Sequence, residues 1–402
     1  MTTDHDVIIA GAGPAGVATA VALARRAPGA RILCLDKARF PRDKPCGGGL
    51  TGHAHSALAA LGLALRVPHV GCRAGRIVYG AHARDVALGR PVDVVRRREF
   101  DADLVAQARA HGVEVREGEG LKSFMVEVAA RRVVVETSAR RTVSARVLVG
   151  ADGAGSRVRR TLAVDDRPPL RLFQAEIAMP AELASLLGER MVYDFSAMRD
   201  GLRGYVWLFP VPGDRLNVGA MHYPSRRLSG AEIERRLRSA LVGYGIALPD
   251  GARGWPAWRY RSAAAISGPH VLCVGDAAGI DALTGEGIAV GLEHGPIAAG
   301  AIGEALSTGD FRFAGYGRAI ARAVVGRELA LDGRLAAMLY APRSFPVWLS
   351  LILFDRRMQE LYAARVSGSE VLADRQHELV AALGRHALRA PGRLLALRRS
   401  PG

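Results

Sequence analysis

The sequence predicts an α/β fold, α+β overall. A Rossmann-type dinucleotide-binding domain is interrupted by a β-sheet substrate domain and followed by a helical C-terminal cap. Three observations carry that expectation: a strand, glycine turn and helix open the chain, two further strand-to-turn signatures lie near residues 150 and 275, and the text between them is rich in β-like runs. The expected division gives residues 1–70, 95–165 and 265–310 to the dinucleotide-binding domain, 71–94 and 166–264 to the substrate domain, and 311–402 to the helical region.

The first signature is Asp6-Val-Ile-Ile-Ala-Gly11-Ala-Gly13-Pro-Ala-Gly16. Val7, Ile8 and Ile9 form a β-branched run that stops at glycines, and the alanine-rich stretch after them favours helix. Gly11 allows the sharp turn, Gly13 lets a pyrophosphate approach the backbone, and Gly16 lets the helix pack close to the strand. The helix N-terminus adds amide donors and a positive dipole end. Asp36 ends the next apolar run, about twenty residues past the last glycine, where a carboxylate reaches ribose hydroxyls. An acid rather than an arginine there favours FAD or NAD over NADP.

Composition sets outer limits. The chain has 402 residues, 49% hydrophobic and 23% charged, enough for a large core and two or three domains. Cys34, Cys46, Cys72 and Cys273 show no paired spacing, so neither a disulfide framework nor a zinc site is expected, and Cys34 and Cys273 sit in apolar runs that read as core. Asp4 and Asp6 stand where a secretory signal needs positive charge, and no unbroken apolar span of membrane length follows, so a cytoplasmic location is expected. A formal charge of +16 suits anionic partners, but arginine alongside so much Ala, Gly and Pro equally reflects genomic base composition. Without basic stretches interleaved with aromatics, no nucleic-acid partner is expected.

Further along, Lys44-Pro-Cys46-Gly47-Gly48-Gly49-Leu50 follows the ribose-binding strand and precedes a helical stretch from Thr51. Three glycines make a flexible loop or a run of bare amides laid along a bound ring, and a Cys46 thiol between Arg42 and Lys44 is expected to have a lowered pKa. Arg76–Tyr79 and Asp85–Leu88 read as short strands broken by glycines. Arg97 to Gly112 reads as a helix with a glycine stop, and 126–135 with 142–149 as a β-meander. That meander delivers the second signature, Val147-Leu-Val-Gly150-Ala-Asp152-Gly153-Ala-Gly-Ser156-Arg157, in which a buried strand runs into an Asp-Gly turn and a helix start. The third, Val271 to Ile288, points Asp276 at a ribityl or ribose hydroxyl, and Gly285 and Gly287 expose amides at a helix N-terminus.

Three such loops along one chain imply a single extended FAD. In this arrangement the chain resembles the flavoprotein family of geranylgeranyl reductases, flavin halogenases and aromatic hydroxylases, with a p-hydroxybenzoate hydroxylase-like fold. The resemblance spans roughly residues 1 to 310. It implies a cofactor contribution from Arg97, Phe100 and Asp101; Ala15, Lys37, Arg42, Leu121 and Ile288 complete the candidate cofactor set. Three segments look like the geranylgeranyl reductase branch: the Cys46 loop, Leu283-Thr-Gly285-Glu286-Gly287-Ile288, and Tyr205-Val-Trp207-Leu-Phe209-Pro210. Against the halogenase branch, Tyr205 replaces the first tryptophan of Trp-x-Trp-x-Ile-Pro, and Lys37, Lys44 and Lys122 lie outside an obvious halogenase context. Asp281 and Ala282 depart from the proline-bearing pattern of many relatives.

Tyr205, Trp207 and Phe209 alternate and so share one strand face, which Pro210 is expected to end. Such a face is either sheet core or a wall that holds an alkene over the flavin; Tyr205 and Trp207 are candidate catalytic residues with Cys46, and Phe209 is read as core. The resemblance implies reduction of carbon–carbon double bonds in an isoprenoid or similar apolar substrate, with an anionic head group a further option. The external reductant is left open between NAD(P)H and a reduced electron carrier. The alternative is a monooxygenase or halogenase acting on a natural-product intermediate. The apolar piece Tyr340–Phe354, flanked by Arg343, Arg356 and Arg357, is too short to span a bilayer and reads as a buried helix, a roof over the cavity, or a peripheral contact with the inner membrane face. Arg375 to Arg399 reads as a pair of basic amphipathic helices.

Overall fold

A computed structural model describes residues 3–162, 168–224, 228–250 and 252–385. Most of the expected Arg375–Arg399 helix pair therefore lies outside the described residues. The chain is mixed α/β, with two sheets among the described residues.

The first sheet is built on the opening strand. His5–Ala10 pairs in parallel with Ile32–Asp36 on one side and Thr142–Gly150 on the other, and Val271–Cys273 adds in parallel beyond. Val7, Ile8 and Ile9 are completely buried, as strands covered on both faces must be. Each of the three signatures therefore leaves the sheet at the same edge, where the carboxyl ends of parallel strands gather. Behind them the helix Pro14–Arg26 crosses the helix Ile288–Thr308 at small residues. A β-carbon on Gly295 would come within 2.6 Å of Ala18, so the crossing tolerates nothing larger than glycine there.

The second sheet runs in the order Arg253–Ala257, Leu170–Ala178, Arg215–His222, Gly204–Val211, Arg190–Asp194, His69–Tyr79, His82–Val95, Gly49–Leu50. Its last short strand is the end of the Cys46 loop, so that loop is stitched to both halves of the molecule. The short β runs expected near residues 76 and 85 are one long hairpin: the glycines Gly71, Gly75 and Gly89 sit inside its strands, and the turn falls at Gly80. Pro210 does not end its strand, which continues to Val211. On one side the neighbour Arg190–Asp194 pairs only with residues 206–208, so the missing N–H at Pro210 faces no partner strand.

One face of this sheet packs on the helices Gly230–Val242 and Ala181–Leu187. The other is covered by C-terminal helices, through Leu339, Phe345, Leu349, Leu353 and Val366. The apolar stretch of the cap is thus occupied largely as core. Its basic flank is partly neutralised, since Arg356 pairs with Glu360 and Arg357 with Glu378. No helix among the described residues is long and apolar enough to cross a membrane. All four cysteines are unpaired, with Cys34 and Cys273 in the core as expected.

Candidate functional site

A cavity of about 650 Å³ lies between the two sheets and under the helix Arg356–Val366. Every candidate cofactor or catalytic residue named from the sequence lines it except Gly16, Phe100 and Asp101.

The glycines of the first signature have distinct local reasons. Gly11 has φ +110°, and a β-carbon on it would lie 2.2 Å from the Ala151 carbonyl oxygen, where the second signature abuts the first. A β-carbon on Gly16 would lie 1.9 Å from the Gly11 carbonyl, so Gly16 sits behind the loop and serves packing alone. Gly153 and Gly155 line the cavity with nothing within 4 Å of where a side chain would begin. That leaves an open cradle of backbone, and the donors around it fit an extended dinucleotide. Asp36 is buried and held by two backbone amides, Ala12 N–H at 3.0 Å and Ala38 N–H at 2.9 Å. Asp152 accepts the Arg157 amide at 2.7 Å, its other oxygen is buried without a partner, and burial raises its pKa.

The third signature turns at Gly275, whose N–H donates to His294 Nδ1 at 3.1 Å. Burial pushes the His294 pKa down to about 4, which keeps the ring neutral and able to accept. Sequence reading passed over this histidine, because its partner is backbone nineteen residues away. Asp276 faces Lys44 Nζ at 3.8 Å, and Gly287 caps the long helix Ile288–Thr308.

Cys46 sits differently from expectation. Arg42 is drawn away to the fully buried Asp101 at 3.1 Å, and Lys44 to Asp276, so neither serves the thiol. Its neighbouring cation is Arg97, itself clamped by Asp101 at 2.7 and 2.9 Å. Of the Arg97, Phe100 and Asp101 element only Arg97 reaches the cavity, since Phe100 is core and Asp101 is the buried clamp for two guanidiniums. The Cys46 sulfur accepts the Gly48 amide at 3.4 Å. The loop is no flexible linker: Gly48 has φ +81° and lies against the Val95 carbonyl, which a β-carbon would meet at 2.3 Å.

Opposite the loops stands the aromatic wall. Tyr205, Trp207 and Phe209 follow one another at ring-centroid spacings of 6.3 Å, and Tyr193 packs against Tyr205 and Phe209 at 5.5 and 5.2 Å. Phe209 was expected to be core alone, but it also lines the cavity and covers Gly47, where a β-carbon would come within 3.0 Å of its ring. Tyr205 donates its hydroxyl to the Thr284 carbonyl at 2.5 Å, so it offers the cavity its ring and not its oxygen. Trp207 donates to Asn217 Oδ1 at 2.9 Å, and Asn217 in turn donates to the Cys46 carbonyl at 2.6 Å. Asp281, buried, accepts the Leu283 and Thr284 amides and shapes the loop entry in place of a proline.

Several lining residues escaped the sequence reading. Tyr362, Arg365 and Val366 share one face of their helix by i, i+3, i+4 spacing, which is the signal that marks them. Arg365 is almost fully buried and forms ion pairs with Glu328 at 2.9 Å and with Asp332. Thr51 and Glu286 meet across the cavity floor at 2.6 Å.

This fold and this lining define a flavoprotein built to enclose a dinucleotide beside an apolar compartment. The chain belongs to the FAD-binding family: residues 4–310 match the family model described as "FAD binding domain". It is an FAD-dependent oxidoreductase. Among its relatives, a menaquinone reductase of Mycolicibacterium smegmatis is 29% identical, covering 96% of this chain and 97% of that protein. A geranylgeranyl bacteriochlorophyll reductase-like protein of Thermoplasma acidophilum shares the fold at TM-score 0.73 and 20% identity, over 99% of both chains. The halogenase PltM shares it at TM-score 0.71 and 18% identity, over 96% of this chain and 85% of that one.

Proposed function

We propose that this oxidoreductase saturates a carbon–carbon double bond in an isoprenoid chain, such as the prenyl tail of a quinone, with electrons delivered by NAD(P)H or a reduced carrier protein. The observation that carries the reading is the continuity of one cavity from the three glycine-and-acid turns to a wall of Tyr193, Tyr205, Trp207 and Phe209. A flavin ring and an apolar chain placed there share one enclosure.

In this reading Gly11, Gly13 and the N-terminus of the helix Pro14–Arg26 hold the pyrophosphate, and Asp36 the adenosine ribose. Asp276 faces the ribityl chain, and the amides around Gly285 and Gly287 face the ring. Reduced FAD, when bound, supplies hydride. The chain's own contribution is position and dryness: the aromatic faces orient the alkene, and the buried wall excludes water. Cys46 stands beside the ring, its sulfur fixed by Gly48 and Arg97. A menaquinone reductase as an almost full-length relative supports the substrate class.

The halogenase reading finds less support. Of the three lysines, Lys122 is exposed and paired with Glu136, and Lys37 and Lys44 lie beside the dinucleotide loops, not on the aromatic wall. Anaerobic incubation of the dithionite-reduced holoenzyme with a prenylated quinone decides the matter. The expected product carries two added hydrogens; turnover that requires oxygen and adds none overturns the proposal.

A further inference from the structure

Hydride is only half of a hydrogenation. The neighbouring carbon needs a proton, and the cavity's carboxyl groups are not equivalent as donors. Asp36 is fixed as an acceptor of two amides, Asp43 is exposed near Arg96, and Asp276 faces Lys44. Asp152 caps the helix Arg157–Leu162 beside Gly11, at the dinucleotide end. Glu286 has neither an amide donor nor an ion-pair partner among the described residues, and its one hydrogen bond is with the Thr51 hydroxyl at 2.6 Å.

Its position is as telling as its partners. Glu286 lies between Gly285 and Gly287 on the loop that faces the ring in the reading above, two residues from the Thr284 carbonyl held by Tyr205. It therefore stands where the flavin loop and the aromatic wall are tied together. Behind it a path leads outward. Thr51 caps the helix Gly52–Leu61, and His53 on that helix lies near enough to Glu286 for their charges to interact. His53 Nε2 is buried without a partner, while Nδ1 lies 3.4 Å from Glu293, which is partly exposed.

We propose that Glu286 is the acid that protonates the alkene, and that it is recharged through Thr51 and the His53 and Glu293 pair. The inference rests on the reductase reading. In the step, hydride from the reduced flavin forms a C–H bond at one alkene carbon and the flavin is left oxidised. The Glu286 O–H bond breaks as the second C–H bond forms at the neighbouring carbon. The carboxylate left behind takes a proton from solvent along the path. Burial raises the Glu286 pKa, against the lowering influence of Arg365, Thr51 and His53; Asp281 raises it further. Tyr205, Tyr362 and Asp332 also face it. Arg365 leaves it without a dedicated counter-ion because its own charge is committed to Glu328 and Asp332. A raised carboxyl pKa keeps the donor loaded at low pH, and activity falls as pH rises through it.

The test is single-turnover reoxidation of dithionite-reduced holoenzyme by a prenylated quinone without oxygen, across pH, in wild type, Glu286→Gln and Glu286→Asp. Glu286→Gln should slow product formation by about 10²-fold or more while keeping FAD, and should lose the alkaline fall. Glu286→Asp should recover part of the rate with the fall restored. Infrared titration of the oxidised wild type should show a carboxylic acid that titrates above the ordinary glutamate range and that Glu286→Gln lacks. A wild-type rate and pH profile in Glu286→Gln, or a Glu286 that titrates in the ordinary glutamate range, overturns the role alone. A wild type that holds FAD but saturates no double bond overturns the reductase reading and this role together.

Discussion

The two sides of the cavity are made of different material. On the dinucleotide side the lining is largely backbone: Gly11, Gly153 and Gly155 present bare main chain, and one carboxylate, Asp36, is itself bound by main-chain amides. On the wall side the lining is side chain, and the fixing bonds run from side chains to distant main chain. Tyr205 holds Thr284 and Tyr340 holds Leu283, seventy-nine and fifty-seven residues away. A site made of backbone needs short, local words with glycine at set places. A site made of side chains needs only that remote segments meet, so it leaves little trace in any one of them.

The contrast predicts that the wall side is the more easily broken by a single truncation. The largest effect is expected at Arg365, whose removal leaves Asp332 and Glu328 buried without their counter-ion. Arg365→Met should lower stability by about 3–5 kcal/mol, read as a drop in chemical-denaturation midpoint. Because those acids bond to Arg365 and Ala373 and not to a signature loop among the described residues, flavin absorbance at low temperature should persist in the folded fraction. Loss of flavin from a protein of unchanged stability would break the distinction between the two sides.

The dinucleotide side has its own weak point, and it is sensitive to pH. His294 is depressed to about 4 in the fold and titrates near the ordinary histidine value when unfolded. Above pH about 6.5 both states are neutral and its contribution is complete. As pH falls below that, the unfolded state binds a proton that the folded state refuses, and stability declines until pH reaches the folded value near 4, by about 3 kcal/mol in all. Replacing His294 by Asn, which can still accept from Gly275, should flatten this acid-side slope. Equal slopes in the two proteins over pH 6.5 to 4 would remove His294 from the account.

How much of this was legible follows from the same contrast. The opening strand and both later turns were readable because each is a local pattern of β-branched residues, glycine and acid, and the structure pairs those strands in one parallel sheet. The alternation of Tyr205, Trp207 and Phe209 was readable too, but whether Phe209 faces core or cavity was not, since that depends on Gly47 lying across it. The electrostatics around Cys46 were misjudged for a comparable reason. Sequence places Arg42 and Lys44 beside the thiol, yet Asp101 and Asp276, each remote in sequence, draw both cations away. Glu286, Thr51, Tyr362 and Arg365 were invisible as a group, because three separate segments bring them to one cavity.

The smallest expected effect tests where the two sides are joined. Trp207 Nε1 binds Asn217 Oδ1, and Asn217 Nδ2 binds the Cys46 carbonyl, so one tryptophan orients the amide that fixes the cofactor-side loop. Trp207→Phe keeps an aromatic face but deletes the donor. The lost bond is worth about 1 kcal/mol, since Asn217 lines a second cavity through which water reaches its freed oxygen. Stability should therefore fall only slightly. The Cys46 loop, however, loses the lock on its orienting amide and should react faster with a thiol-alkylating reagent in the flavin-free protein. A stability loss of this size with an unchanged alkylation rate would mean that Asn217 is held without Trp207, and that wall and loop meet without being coupled.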